Sequence, residues 1–176
     1  MASKVIVITG DINGGKTTTL LSYLAKYRSS CLASEICGYI SLANNEKTCY
    51  RLRDLSSGDE RIALSEKELP SARRWGRFFV DDEVFFWANQ TIEKHLGTAN
   101  LVVFDELGRF ELAGSGFDRA FRLALDTPDL VVLVTVRTQF LPQILQRYGL
   151  TDAMIELVRC QEWKSLHEEG TINCLE

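Results

Sequence analysis

Lys16 and Thr17 close the run Gly10-Asp11-Ile12-Asn13-Gly14-Gly15-Lys16-Thr17, which fits the pattern G-x-x-x-x-G-K-[ST] at every required position. Glycines at that spacing let backbone N–H groups turn toward a single anion, and the N-terminus of a following helix adds its positive end. Lys16 can then reach the β- and γ-phosphates of a nucleotide, and the Thr17 hydroxyl can hold Mg²⁺. The nucleotide-binding set is Gly10, Asp11, Ile12, Asn13, Gly14, Gly15, Lys16, Thr17 and Thr18. The Asp11 carboxylate would repel phosphates, so its side chain is expected to point outward and to have no role of its own.

A second group of candidates lies in Leu101-Val-Val-Phe-Asp105-Glu106. An apolar strand ending in Asp sets a carboxylate beside a phosphate loop, where Asp105 can hold Mg²⁺ together with Thr17. Side chains alternate along a strand, so Glu106 should face away from Asp105 and do different work. It can orient a water or take its proton during attack on phosphorus; the alternative is an acid that simply faces solvent. Phosphoryl transfer also needs positive charge where negative charge develops. Lys16 supplies part of it, and Arg109 can supply more or, equally, form a surface ion pair with Glu111. Thr135 and Arg137 are candidates for sensing the γ-phosphate, provided their strand lies between the other two.

These residues need elements to hold them. Lys4 to Thr9 is a β-branched apolar run, and Leu20, Leu21, Leu24 and Tyr27 follow at helical spacing. Within Cys31–Ala43 the latter half reads as a strand. Thr48–Leu55 and Arg61–Leu64, joined by Ser56-Ser57-Gly58-Asp59, read as an antiparallel hairpin at the edge of the main sheet. Ser65 to Phe79 is polar, basic and interrupted by Pro70, and no element is assigned there. Asp81 or Asp82 caps a helix with Phe85, Ile92 and Leu96 on one face, ended by Gly97. Ser115 is expected to cap a helix that turns Phe117, Phe121, Ala124 and Leu125 inward. Leu130–Val136 is a third apolar strand, Leu141–Tyr148 a short helix stopped at Gly149, and Met154–Val158 a last strand. Apolar strands alternating with amphipathic helices imply a parallel α/β sheet.

With 176 residues, 45% hydrophobic and 25% charged, the chain is expected to form one domain spanning 1–176. A formal net charge of −4 argues against a nucleic-acid partner. The cluster Arg73, Arg74 and Arg77 is basic but short, and suits a solvated turn as well as a ligand. Five cysteines without a C-x-x-C pair, and two distant histidines, argue against zinc and for reduced thiols. No run reaches membrane-spanning length, so a cytoplasmic protein is expected. Trp75, Phe78, Phe79, Phe85, Phe86 and Trp87 form a dense aromatic stretch, read as core or an oligomer contact, with stacking of one ring on a base as the alternative.

Gly10–Thr19, Gly38-Tyr39-Ile40-Ser41 with the hairpin through Gly58, and Gly76-Arg77-Phe78-Phe79-Val80 together resemble the THEP1-type nucleoside-triphosphatase family. Most specific is Val103-Phe-Asp-Glu-Leu-Gly-Arg-Phe-Glu-Leu112, which matches the family signature DE-(I/L)-G-(K/R)-x-E-L. The resemblance runs from about Lys4 to Val158. It implies a P-loop NTPase fold, with a RecA-like, mostly parallel sheet flanked by helices and an added antiparallel hairpin. It also implies slow, Mg²⁺-dependent hydrolysis of several nucleoside triphosphates with low base selectivity. Lys16, Thr17, Asp105 and Glu106 fall on the motif positions, so their roles carry over. Asp11-Ile12-Asn13 departs from the family's usual Pro-Gly. Arg109 stands where Lys is common, Arg159-Cys160-Gln161-Glu162 replaces a Glu-Asn-Arg-like stretch, and the segment from Trp163 to Glu176 has no usable counterpart in the resemblance. Two other functions stay open: a small kinase whose lid would use Arg73, Arg74 and Arg77, and a nucleotide-dependent switch for a protein partner.

Overall fold

The computed structural model describes residues 4–30 and 35–160. Cys31, His167, Cys174, the Gln161-Glu162 pair and the segment from Trp163 onward lie outside the described residues. Among the described residues nine strands form one sheet: β1 (Lys4–Gly10), β2 (Ile36–Ala43), β3 (Cys49–Asp54), β4 (Glu60–Ser65), β5 (Arg73–Trp75), β6 (Phe78–Val80), β7 (Leu101–Leu107), β8 (Val131–Arg137) and β9 (Ile155–Arg159). Their order is β5-β6-β4-β3-β2-β7-β8-β1-β9. The strands β2, β7, β8, β1 and β9 run parallel, and the rest are antiparallel additions beyond β2. β8 does lie between β1 and β7, as the reading of Thr135 and Arg137 required.

Among the described residues the α-helices are α1 (Lys16–Ser30), α2 (Asp82–His95), α3 (Arg109–Leu112), α4 (Asp118–Asp126) and α5 (Leu141–Tyr148). Alternation along the central strands builds a core on each face. Val5, Val7, Val102, Phe104, Val132 and Val134 turn toward α2, α4 and α5. Ile6, Ile8, Leu101, Val103 and Leu133 turn toward Leu20 and Leu24 of α1. A strand buried on both faces has no polar side to show, hence the unbroken apolar runs in the sequence.

The hairpin β3–β4 forms as expected. The segment left without an element also pairs, as β5–β6 around Gly76-Arg77. Strands this short carry too few residues for an alternating pattern to register. Asp81 is the cap of α2, its carboxylate accepting from the N–H groups of Glu83 and Val84. α4 differs from expectation, because it begins at Asp118 and Ser115 does not cap it. The Ser115 hydroxyl donates to the Phe110 carbonyl at 3.1 Å, and the side-chain oxygen of Asn89 accepts from the Ala120 N–H at 3.0 Å instead. Phe117, Phe121 and Ala124 are buried, and Leu125 is half-buried.

One glycine fixes the junction of the two sheet halves. Gly38 in β2 has φ +109°, and a Cβ there would lie 2.1 Å from the Val103 carbonyl oxygen of β7. Only glycine lets these backbones approach so closely.

Candidate active site

The loop between β1 and α1 turns tightly. The Gly14 N–H donates to the Asp11 carbonyl at 3.0 Å, and a Cβ on Gly14 would sit 3.0 Å from the same oxygen. Asn13 and Gly15 take positive φ, 63° and 86°. Lys16 is buried and curls over the loop, its Nζ donating to the carbonyls of Asp11 at 2.7 Å and Gly10 at 3.3 Å. Burial holds its pKa below the usual lysine range, opposed chiefly by the nearby Glu106 charge. Asp11 itself is exposed, as expected, and contributes its carbonyl.

Asp105 is buried at the end of β7 and saturated with donors. Its Oδ1 accepts from the Thr135 hydroxyl at 2.6 Å. Its Oδ2 accepts from the Thr17 hydroxyl and from the Ser41 N–H, both at 3.1 Å. Loss of solvent, reinforced by the Glu106 charge, pushes its pKa up to about 6, even though these donors favour the charged form. A buried carboxylate turned on a Thr hydroxyl at the mouth of a glycine loop is a hard-oxygen donor set. Thr17 and Asp105 therefore fit Mg²⁺.

Simple alternation does not describe Glu106. Its φ is +64°, and the β7–β8 pairing slips between Phe104 and Leu107, so a bulge re-aims the side chain. Such a backbone costs about 1–3 kcal/mol in a residue other than glycine. The Glu106 N–H donates to the Thr135 hydroxyl at 2.7 Å, the same hydroxyl that serves Asp105. Its carboxylate accepts from Arg137 at 3.2 Å. Thr135 thus joins the two acids, and Arg137 puts a guanidinium beside the loop.

Arg109 sits elsewhere. It is exposed at the start of α3, with its guanidinium 5.6 Å from the Phe140 ring. The ion pair with Glu111 does not form. Glu111 is buried, and its carboxylate accepts from the N–H groups of Gly108 at 2.7 Å and Phe117 at 2.9 Å. Burial raises its pKa, and those N–H groups oppose the rise.

A cavity of about 810 Å³ lies over the loop, lined by Ile12 to Thr18 together with Glu106 and Arg137. Ser41, Leu42 and Ala43 of β2 also line it, with Lys47, Tyr50, Arg77 and Phe78, four residues not singled out together from the sequence. Lys47 Nζ donates to the Asn13 side chain, and Arg77 reaches the Lys47 carbonyl at 3.4 Å. Arg77 belongs to the basic cluster, which was a signal of sorts; Lys47 lies in a hairpin turn with no pattern to mark it. Arg73 pairs with Asp82 at 2.5 Å, and Arg74 donates to the Gly76 carbonyl at 3.4 Å. Of the aromatic stretch, Phe85 is core, Phe86 is 54% exposed, and Phe78 faces the cavity against Tyr50.

Two solved structures share this architecture. THEP1 from the hyperthermophile Aquifex aeolicus superposes with a TM-score of 0.70 at 20% identity, covering 89% of each chain. A human cancer-related nucleoside triphosphatase gives 0.68 at 18% identity, over 98% of this chain and all of the other. No curated protein matches in sequence. The family model described as NTPase matches residues 5–169, further than the expected end near Val158 and into the segment from Trp163 for which no counterpart was expected. With the phosphate loop, the Asp105–Glu106 strand end and this match over nearly its full length, the chain belongs to the THEP1-type NTPase family of nucleoside-triphosphate phosphatases.

Proposed function

We propose that the protein hydrolyses several nucleoside triphosphates, ATP and GTP among them, to diphosphate and phosphate in a Mg²⁺-dependent reaction with little selection of the base. The observation that carries this reading is the meeting of Thr17, Asp105 and Glu106 at one end of the phosphate loop, within reach of Lys16. Backbone N–H groups of the loop and the N-terminus of α1 bind the phosphates. Lys16 exchanges its two carbonyl partners for phosphate oxygens, a stronger, charge-assisted contact. Thr17 and Asp105 would hold Mg²⁺, which when bound would neutralise negative charge developing on the phosphates. Glu106 orients the attacking water and takes its proton, and the Thr135 hydroxyl keeps its backbone in the bulged form. A γ-phosphate offers Arg137 a second anion, loosening its pairing with Glu106 as the water needs that carboxylate. Low selectivity follows from polar contacts confined to the phosphates, with Tyr50 and Phe78 offering ring faces that accept any base.

The test is phosphate release from ATP, GTP, CTP and UTP, with Mg²⁺ or with chelator and without an acceptor, by the wild type and by Glu106→Gln. Release from all four by the wild type, lost with chelator and in the variant although both proteins bind nucleotide, is the expected result. Binding without release by the wild type would overturn the hydrolytic reading.

A further inference from the structure

The cations that line the cavity over the loop are Lys16, Lys47, Arg77 and Arg137, and they are not equally neutralised. Arg137 pairs with Glu106 and Arg77 with Glu66, each at 3.2 Å. Lys16 is buried, held by two carbonyls, and has the charges of Glu106 and Asp105 nearby. Lys47 has no carboxylate partner among the described residues. Its Nζ donates to the side-chain oxygen of Asn13 in the phosphate loop, a neutral acceptor. Lys16 therefore rises from inside the loop, and Lys47 reaches the loop from outside with its charge uncompensated.

An exposed lysine is usually a loose stem in water, but the backbone under this one is pinned. The turn that carries it starts directly after the last β2–β3 pair, Ala43 with Tyr50. The Asn44 side-chain oxygen accepts from the N–H groups of Thr48 at 2.9 Å and Cys49 at 3.0 Å, and the Lys47 N–H donates to the Asn44 carbonyl at 3.0 Å. From the β5–β6 turn, Arg77 donates to the Lys47 carbonyl at 3.4 Å while its guanidinium lies 4.8 Å from the Phe78 ring. Lys47 itself takes φ +56°, a left-handed conformation that such a side chain seldom adopts and that persists only where its surroundings enforce it. Upstream of the turn, β2 also brings the Ser41 N–H to Asp105. One strand thus serves the buried acid and carries Lys47 to the loop.

From this we infer that Lys47 is a catalytic residue of the hydrolysis: its ammonium leaves Asn13 for the phosphate chain and meets the negative charge that builds on the departing diphosphate. In that step the water oxygen bonds to the γ-phosphorus as its proton passes to Glu106. The bond from that phosphorus to the bridging oxygen breaks, and the electron pair stays on the oxygen, which becomes the terminal oxygen of the diphosphate. Charge there is greatest in the transition state, so a cation held ready for it acts on rate more than on binding. Some phosphoryl-transfer enzymes take such a cation from another loop of the same chain. The sequence calls for a second positive charge and offers Arg109, which the fold sets against Phe140; Lys47 stands in the cavity. The inference rests on the hydrolytic reading.

The experiment compares the full chain with Lys47→Met, which keeps the stem and removes the charge, and Lys47→Arg, which keeps a charge. Phosphate release from ATP with Mg²⁺ gives kcat and KM. Calorimetry gives the affinity for a non-hydrolysable ATP analogue, and for ADP with aluminium fluoride as a mimic of the transferring phosphoryl group, both with Mg²⁺. Lys47→Met should lower kcat by about ten-fold or more and weaken the fluoride complex as much. Its KM and its affinity for the analogue should stay within about three-fold of the wild type, which also shows that the variant folds. Lys47→Arg should recover most of both losses. Unchanged kcat and fluoride affinity in Lys47→Met, equal weakening of the two complexes, or no recovery in Lys47→Arg would each overturn the role. A wild type that releases no phosphate overturns the hydrolytic reading and this role with it; a Lys47→Met that matches a working wild type overturns this role alone.

Discussion

Asp105 and Glu111 lie six residues apart in one signature, both buried and both with pKa values raised by burial, yet they are built for opposite ends. Two of the three donors to Asp105 are side-chain hydroxyls, from Thr17 and Thr135, which can rotate to other partners. Both donors to Glu111 that lie beyond its own residue are backbone N–H groups, of Gly108 and Phe117, which cannot. A carboxylate held by hydroxyls can change partners when a cation and phosphates arrive; one held by fixed amides can only brace the chain. Glu111 ties the end of β7 to the start of α4, and so holds in place the segment on which Arg109 stands. The pKa shift is alike in direction at both sites. The donors, not the shift, separate the acid proposed to hold the metal from the one that braces the chain.

Substitutions can break this contrast. Asp105→Asn should have the largest effect, lowering phosphate release by about 10²–10³-fold, the scale of losing one transition-state charge contact. Its melting should stay at or above that of the wild type, because the costly buried charge is gone. A variant with near-normal release would remove Asp105 from the metal site. Glu111→Ala should do the reverse, lowering Tm by roughly 5–10 °C as two buried N–H groups lose their acceptor, at about 1–3 kcal/mol each. If its melting were unchanged while release fell, the bracing role would be wrong. Thr135→Val should fall between the two. It loses one donor to Asp105 and one acceptor for the Glu106 N–H, so release should drop about ten-fold and stability by about 1–2 kcal/mol.

A third acid sharpens the comparison with the smallest effect. Burial works against the charge on Asp118, but the Tyr148 hydroxyl, Arg122 and Arg147 all donate to it and leave its pKa below the ordinary carboxylate value. Folding therefore favours its ionised form. That contribution is present above the ordinary carboxylate pKa and is lost as pH falls through the lowered value. Asp118→Asn should cost no more than about 1 kcal/mol near neutral pH, given the partly exposed guanidinium partners. The difference from wild type should vanish in acid; chemical denaturation at several pH values reads it, and a difference that persisted in acid would assign the loss to packing.

Much of this was legible in the sequence. The loop from Gly10 to Thr18 and the apolar run ending at Asp105 carry their chemistry in local spacing, and so do the capped helix at Asp81 and the hairpin through Gly58. What escaped depends on pairing over distance or on an unusual backbone. Thr135 and Asp105 are thirty residues apart and meet only because β8 sits beside β7. The left-handed turn at Glu106 falls on a residue with no preference for it, so alternation gave its direction too simply. Arg109 is nearer to Glu106 in sequence, but Arg137 is nearer in space. Proximity along a chain is a poor guide where a strand ends and a short helix turns away.

Gly38 has a consequence for the variability of this chain. Its missing methyl sets how near Ser41, three residues on, can bring its N–H to Asp105. Any larger residue must part β2 from β7 and retract that donor. A saturation library at position 38, selected for activity, should return glycine alone, while Gly58, with open space around it, should admit asparagine.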